Sequence, residues 1–275
     1  MARTNMRATR TKPTQAELLV CRVLRTERVS PSFTRVVLGG DDLARFTPLG
    51  FDQWFRLFLP VDGGDLAHAP HKLDTVSYVK FLTTSKATRP ILRNYTVRAF
   101  RRLPGGDELD IDFVMHGDGH GGHDAPTAAS WARSANPGDV VGIIDEGIGF
   151  DTRMLGHPLL VVADESALPA AAGILGSLPR TVEGAAVLEI PDDADVRAID
   201  APAGVTVHWV VREHGHAPGS AALSMATGLP SRPEQAVWVA GEQSLPRDVR
   251  RHAVQTGIPK EQITFIGYWR VGRSG

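Results

Sequence analysis

The chain changes rhythm once, and that change limits its possible folds more than any other feature. From Leu18 to Ile144 short runs alternate apolar and polar residues with the period of strands. In Glu108–Met115 the side chains of Leu109, Ile111, Phe113 and Met115 share one face, while Asp110 and Asp112 take the other. Similar runs occur at Val20–Thr26, Phe33–Leu38, Trp54–Leu59, Asn94–Arg101 and Val140–Ile144. Turn formers separate them: Gly39-Gly40-Asp41, Gly63-Gly64-Asp65, Pro104-Gly105-Gly106-Asp107 and Pro137-Gly138-Asp139. Six such strands, with one helical piece at Ala128–Ser134, predict a small antiparallel barrel.

From His157 the pattern becomes strand, helix, strand. Pro158–Ala163 is apolar throughout, as a strand buried on both faces must be. Leu168, Ala171, Leu175 and Leu178 follow at helical spacing. Strands are expected at Ala185–Ile190, Val205–Val211, Ala236–Ala240 and Ile263–Ile266, with a helix over Leu245–Thr256. This alternation predicts a parallel-sheet α/β domain. The expected organisation is a disordered tail over 1–17, a barrel over 18–150 and an α/β domain over 151–275.

Bulk properties exclude several classes. The 30 basic and 31 acidic residues give a net charge of −1, which removes the electrostatic case for nucleic acid. Arg3, Arg7, Arg10 and Lys12 resemble the start of a signal peptide, but Arg22 and Arg25 interrupt the apolar run that should follow. No stretch approaches the roughly 18 apolar residues of a membrane span. With a single cysteine, Cys21, the chain reads as cytoplasmic and not membrane-inserted. No Gly-x-Ser-x-Gly elbow points to a serine hydrolase.

Arg93-Asn94-Tyr95-Thr96 opens a barrel strand with Arg93 and Tyr95 on one side and Asn94 and Thr96 on the other. Arginine offers a forked donor for phosphate, tyrosine an aromatic face and threonine a hydroxyl. Downstream, Val114-Met115-His116-Gly117 leads through a Gly/His loop to Thr127-Ala128-Ala129-Ser130 before Trp131. Small residues at a helix start let backbone N–H groups approach a pyrophosphate. His116, His120, His123 and Asp124 also have metal-ligand chemistry, but a Gly-rich loop without cysteine is a poor scaffold, and no metal site is expected. Ala163-Asp164-Glu165-Ser166 and Ala240-Gly241-Glu242-Gln243-Ser244 each precede a Leu-Pro pair. Each places a serine to cap a helix and carboxylates at the end of a parallel strand, where open α/β sheets bind ligands.

These motifs, together with Trp238-Val239-Ala240-Gly241-Glu242 and the closing Gly267-Tyr268-Trp269-Arg270-x-Gly272, occur in the order seen in siderophore-interacting FAD-binding proteins, which the chain resembles from about Leu18 to Gly272. The resemblance implies a non-covalent FAD barrel joined to a nucleotide domain like that of ferredoxin–NADP reductases. Arg93 would bind pyrophosphate, Tyr95 would pack on the flavin and Thr96 would sit at its reactive edge. Asn94, Val114, His116, Thr127, Ala128, Ala129 and Ser130 would complete the cradle. Asp164, Glu165, Ser166 and Glu242 would line the nucleotide site. Electrons from NADH, NADPH or a ferredoxin would pass to a ferric siderophore. Arg56, Tyr268, Trp269 and Arg270 are the expected substrate contacts.

The chain departs from that family's pattern at Ala129, where a serine is expected, and at Asp145-Glu146-Gly147-Ile148-Gly149, where two carboxylates enter a Gly-rich turn. It also has Arg56 where many relatives have lysine. NADH is expected over NADPH as donor, because the extra phosphate of NADPH would meet carboxylates at 145, 146, 164, 165 and 242 without an obvious arginine partner. Other readings with the same motifs are a non-catalytic flavin-containing iron-binding protein and a flavin reductase with a different acceptor.

Overall fold

The computed structural model describes residues 10–14, 16–61, 65–85, 87–115 and 128–272. Two compact units result: Thr11–Leu49 with Gln53–Ile148, and Gly50–Asp52 with the chain from Gly149 onward. Among the described residues no helix is long and apolar enough to cross a membrane.

The first unit is an antiparallel sheet of β1 (Leu18–Ser30), β2 (Phe33–Gly39), β3 (Trp54–Leu59), β4 (Ile91–Thr96), β5 (Ala99–Arg101), β6 (Glu108–Val114) and β7 (Val140–Gly147). The order is β4-β3-β7-β1-β2-β6-β5. There are seven strands and not six, because the expected strand Asn94–Arg101 breaks in two. β4 pairs with β3, whereas β5 pairs with β6 at the other end of the sheet order. At the break, Val97 N donates to Gln53 O and Arg98 N to Asp110 O, so the chain changes partners within two residues. A link of that length reaches roughly 10 Å at most, so the two sheet ends must come together. Alternation reports which face a residue takes and is blind to which neighbour its backbone bonds.

Leu109, Ile111 and Phe113 face the core, as their spacing requires. Asp110 and Asp112 take the opposite face yet are only 2% and 4% exposed. Arginines cover them: Arg101 reaches Asp110 at 2.5 Å, and Arg35 makes a two-pronged contact with Asp112 at 2.7 and 3.1 Å. Two bridges, Thr11 with Ile148 and Glu17 with Lys72, pair the chain before β1, upstream of the boundary placed at residue 17. Helix α1 (Thr75–Thr83) carries no expectation from the sequence. Asp74 caps it by accepting from Ser77 N at 2.7 Å, and Phe81 is its buried residue. Helix α2 (Ala128–Ser134) lies where its sequence places it.

In the second unit β8 (Leu159–Ala163), β9 (Gly184–Ile190), β10 (Val205–Val211), β11 (Ala236–Glu242) and β12 (Ile263–Trp269) form a parallel sheet of order β10-β9-β8-β11-β12. Three helices accompany it: α3 (Leu168–Ser177), α4 (Ser220–Gly228) and α5 (Ser244–Gln255). The expected serine caps do not form. Ser166 and Ser244 turn back to the carboxylates of Asp164 and Glu242, and no side chain caps either helix. Each hydroxyl instead donates to the carboxyl oxygen two residues upstream. Phe51, at φ 52°, stacks on Phe150 with ring centroids 5.0 Å apart. Asp52 Oδ1 accepts from Gly149 N at 3.0 Å and Phe150 N at 2.8 Å.

Candidate functional site

Strand β4 carries the first group of expected site residues. Register with β3 sets Arg93 opposite Leu57, Asn94 opposite Arg56, Tyr95 opposite Phe55 and Thr96 opposite Trp54. Arg93 is half-buried, and its Nη1 donates to Leu92 O at 2.9 Å; among the described residues no carboxylate pairs with it. Its neighbours differ, since Arg35, Arg98 and Arg101 all hold aspartates. Thr96 is a buried residue whose hydroxyl has no hydrogen bond to a described residue. Asn94 is exposed.

Tyr95 packs on Phe113, with ring centroids 4.4 Å apart, and Phe113 also meets Trp131 of α2 at 5.7 Å. One core phenylalanine thus ties the Arg93–Thr96 strand to the start of α2. Burial raises the pKa of the Tyr95 hydroxyl, so the ring stays neutral. At the helix start Ala128 is buried, Ala129 half-buried and Ser130 exposed. Val114 ends β6 opposite Phe33. His116, Thr127 and the rest of the Gly/His loop lie outside the described residues.

Arg56 does not present a free charge. Its Nε lies 2.6 Å from Glu146 Oε1, and its guanidinium sits 5.8 Å from the rings of both Trp54 and Tyr78. Tyr78 comes from α1 and was missed together with that helix. Asp145 is likewise satisfied, accepting from Gln53 Nε2 at 2.9 Å and Gly147 N at 2.8 Å. The two carboxylates of the unusual turn therefore have internal partners.

The second group lies at the carboxyl ends of the parallel strands. Asp164 and Glu165 are fully buried after β8, and Glu242 is buried at the end of β11. Asp164 Oδ1 accepts from Ser166 N at 2.9 Å, and Oδ2 accepts from Glu242 N at 2.6 Å. The close approach requires glycine at 241: φ is 145° there, and a Cβ would lie 2.5 Å from the Asp164 carboxylate. Burial, then the neighbouring charge of Glu165, pushes the pKa of Asp164 up. Glu242 accepts from Ser244 N at 2.6 Å.

An arginine that the sequence does not make obvious lies beside these carboxylates. Arg212, directly after β10, donates to Glu165 at 2.7 and 2.9 Å and to Glu189 of β9 at 2.8 Å. Its 47 residues of separation from Glu165 hide the pair from local inspection. Glu146 and Glu165 thus each have an arginine, while Asp145, Asp164 and Glu242 accept from amide and hydroxyl donors, so the electrostatic argument for NADH over NADPH is weakened. At the end of β12, Tyr268 and Arg270 are exposed and Trp269 is half-buried. Arg270 makes no ion pair with a described residue.

A family model described as a siderophore-interacting FAD-binding domain matches residues 22–148, and one described as siderophore-interacting protein matches 157–272. The ferric vibriobactin reductase ViuB of Vibrio cholerae is 30% identical over 260 residues, spanning 91% of this chain and 89% of that one. An NADPH-dependent ferric-chelate reductase of Escherichia coli is 27% identical over 258 residues, spanning 90% and 91%. The crystal structure of the siderophore-interacting protein SipS from Aeromonas hydrophila superposes with a TM-score of 0.73 at 29% identity, covering 94% of each chain. With both halves matched in order, the chain belongs to the siderophore-interacting protein family, oxidoreductases whose cofactor is FAD.

Proposed function

We propose that the protein reduces ferric siderophores, releasing Fe(II), with electrons supplied by NADH, NADPH or a ferredoxin. The observation that carries this reading is Arg93, a half-buried cation with no described carboxylate partner on the strand that also bears the unbonded Thr96 hydroxyl. A buried cation without a counter-charge is costly unless a ligand supplies one. Arg93 suits a pyrophosphate, Thr96 the polar edge of a flavin, and Tyr95 an apolar wall beside it. Ala128 and Ala129 leave room for a phosphate near their backbone. Bound FAD supplies the conversion of a two-electron donor into single electrons for Fe(III). Hard oxygen donors hold Fe(III) far better than Fe(II), so reduction is an effective means of release.

Arg93 therefore anchors the cofactor, Tyr95 excludes water beside it, and Thr96 offers a hydrogen bond where the ring is polar. Exposed Arg270, with Tyr268 and Trp269, contributes a cation and aromatic surface for an anionic iron chelate. Arg56 contributes an aromatic-flanked guanidinium whose charge Glu146 already balances. We place the activity in the cytoplasm, in keeping with a single free and buried Cys21. The test is spectroscopic and kinetic. Purified protein should be yellow and should form trapped Fe(II) from a ferric siderophore with a reductant. Arg93→Ala should weaken FAD binding about tenfold or more, the value of a charge-assisted phosphate contact. A colourless wild type that FAD cannot reconstitute ends the proposal.

A further inference from the structure

The carboxyl ends of three adjacent strands meet at one guanidinium. Arg212 follows β10, Glu189 is the penultimate residue of β9, and Glu165 lies two residues beyond β8. In open parallel sheets this edge receives nucleotides, with an acid of the second strand on a ribose or an arginine nearby on a phosphate. Here both kinds of residue are present and bind each other. The Glu165 side chain is 1% exposed, Glu189 0% and Arg212 14%.

The two carboxylates are held differently. Glu189 accepts from Gly219 N at 2.7 Å and Ala222 N at 2.9 Å, at the start of α4, in addition to Arg212. It is fixed without the arginine. Glu165 accepts through its side chain from Arg212 alone among the described residues. It is also crowded by like charge, for its neighbour Asp164 is driven toward its protonated form first by burial, then by Glu165 and, more weakly, by Glu189. Glu165 is thus the carboxylate that another anion can displace.

We propose that Arg212 is the phosphate-recognising residue of the nucleotide site and that Glu165 is an internal stand-in which the phosphate of a nicotinamide dinucleotide replaces. The idea rests on the nucleotide-donor reading above and names the residue that reading lacked. Displacement exchanges a crowded carboxylate for a phosphate with the same forked geometry toward arginine. Glu165, freed, turns to solvent, while Glu189 continues to hold α4. The pair therefore sets nucleotide affinity: a dinucleotide whose phosphate takes Arg212 must first overcome the internal contact.

The experiment titrates the full-length, FAD-loaded protein with NADP+ and with NAD+, neither of which reduces the flavin, and reads dissociation constants by calorimetry. Glu165→Gln, which keeps shape and removes the competing charge, should tighten binding about tenfold, the size of one charge-assisted hydrogen bond. Tightening for NADP+ alone places the 2′-phosphate on Arg212; equal tightening for both places the pyrophosphate there. Arg212→Lys, which keeps the charge and loses the fork, should weaken binding by a similar factor. The double variant should bind no more tightly than Arg212→Lys. Unchanged or weaker binding by folded, yellow Glu165→Gln overturns the proposal, as does full affinity in Arg212→Lys should the first variant not fold. FAD content, and ferric reduction by the photoreduced wild type, report on the reductase reading separately. An active flavoprotein that binds neither nucleotide refutes only the role of Arg212.

Discussion

Replacing Asp52 by asparagine should remove a pH-dependent share of the protein's stability. Asp52 is 2% exposed, and burial pushes its pKa from 3.8 up to about 6. The N–H groups of Phe150 and Gly149 pull it partly back. The folded state therefore binds this proton more tightly than the unfolded chain. Its contribution to stability is fully present below pH 3.8 and is lost as pH rises through about 6. Between pH 7 and pH 5 the wild type should gain about 1 kcal/mol from this group. Asp52→Asn keeps Oδ1 for the two backbone donors and cannot titrate, so it lacks that gain. Urea unfolding of both proteins at the two pH values measures it, with FAD in fixed excess because a bound cofactor shifts apparent stability. The gap between wild type and variant should move by about 1 kcal/mol in favour of the wild type at pH 5. A gap that is the same at both values would mean Asp52 is ionised throughout, and the reasoning from burial would fail.

Two further outcomes are expected. Gly173→Ala should destabilise by about 2 kcal/mol or more, since a Cβ there would lie 2.2 Å from Phe51 O. In the same helix Gly176→Ala meets nothing closer than Asp200 O at 3.7 Å and should be neutral or stabilising by up to about 1 kcal/mol, so a lowered melting temperature for Gly173→Ala alone checks the pair. Arg56→Gln combined with Arg270→Gln should weaken ferric-siderophore binding while FAD content is retained. The Arg270 change should dominate, because Glu146 already neutralises Arg56; equal loss from each single change would contradict this.

Much of the architecture is visible in the spacing of apolar residues. Trp54–Leu59 and Val205–Val211 are strands with the limits their sequences suggest, because a buried face leaves a local signature. What stays hidden is non-local. The break at Val97-Arg98 depends on which strand lies alongside, and residues 94–99 alternate smoothly through it. Helix α4 shows weak amphipathic spacing and takes its cap from Glu189, 30 residues upstream of Gly219. Helix α1 exposes Val76, Val79 and Leu82, so its apolar spacing does not mark a core face. In the candidate site, Arg93 and Thr96 were legible as residue types suited to a ligand. The engagement of Arg56 by Glu146 and of Arg212 by Glu165 was not, since 90 and 47 residues separate the partners.

The three residues Gly50–Asp52 also bear on how the chain is made. Phe51 N donates to Ser177 Oγ at 2.7 Å, across 126 residues of sequence, and the amides that bind Asp52 lie 97 and 98 residues downstream. On a ribosome adding about 5–20 residues per second, Phe51 waits roughly 6–25 s for Ser177 to exist. Until then the positive φ at Phe51 lacks its hydroxyl partner, and Asp52 waits for the amides of Gly149 and Phe150, although the strands on either side can already pair. Nascent chains halted shortly before Ser177 should therefore be cut by protease at residues 50–52, and those halted after Trp238 has left the tunnel should resist.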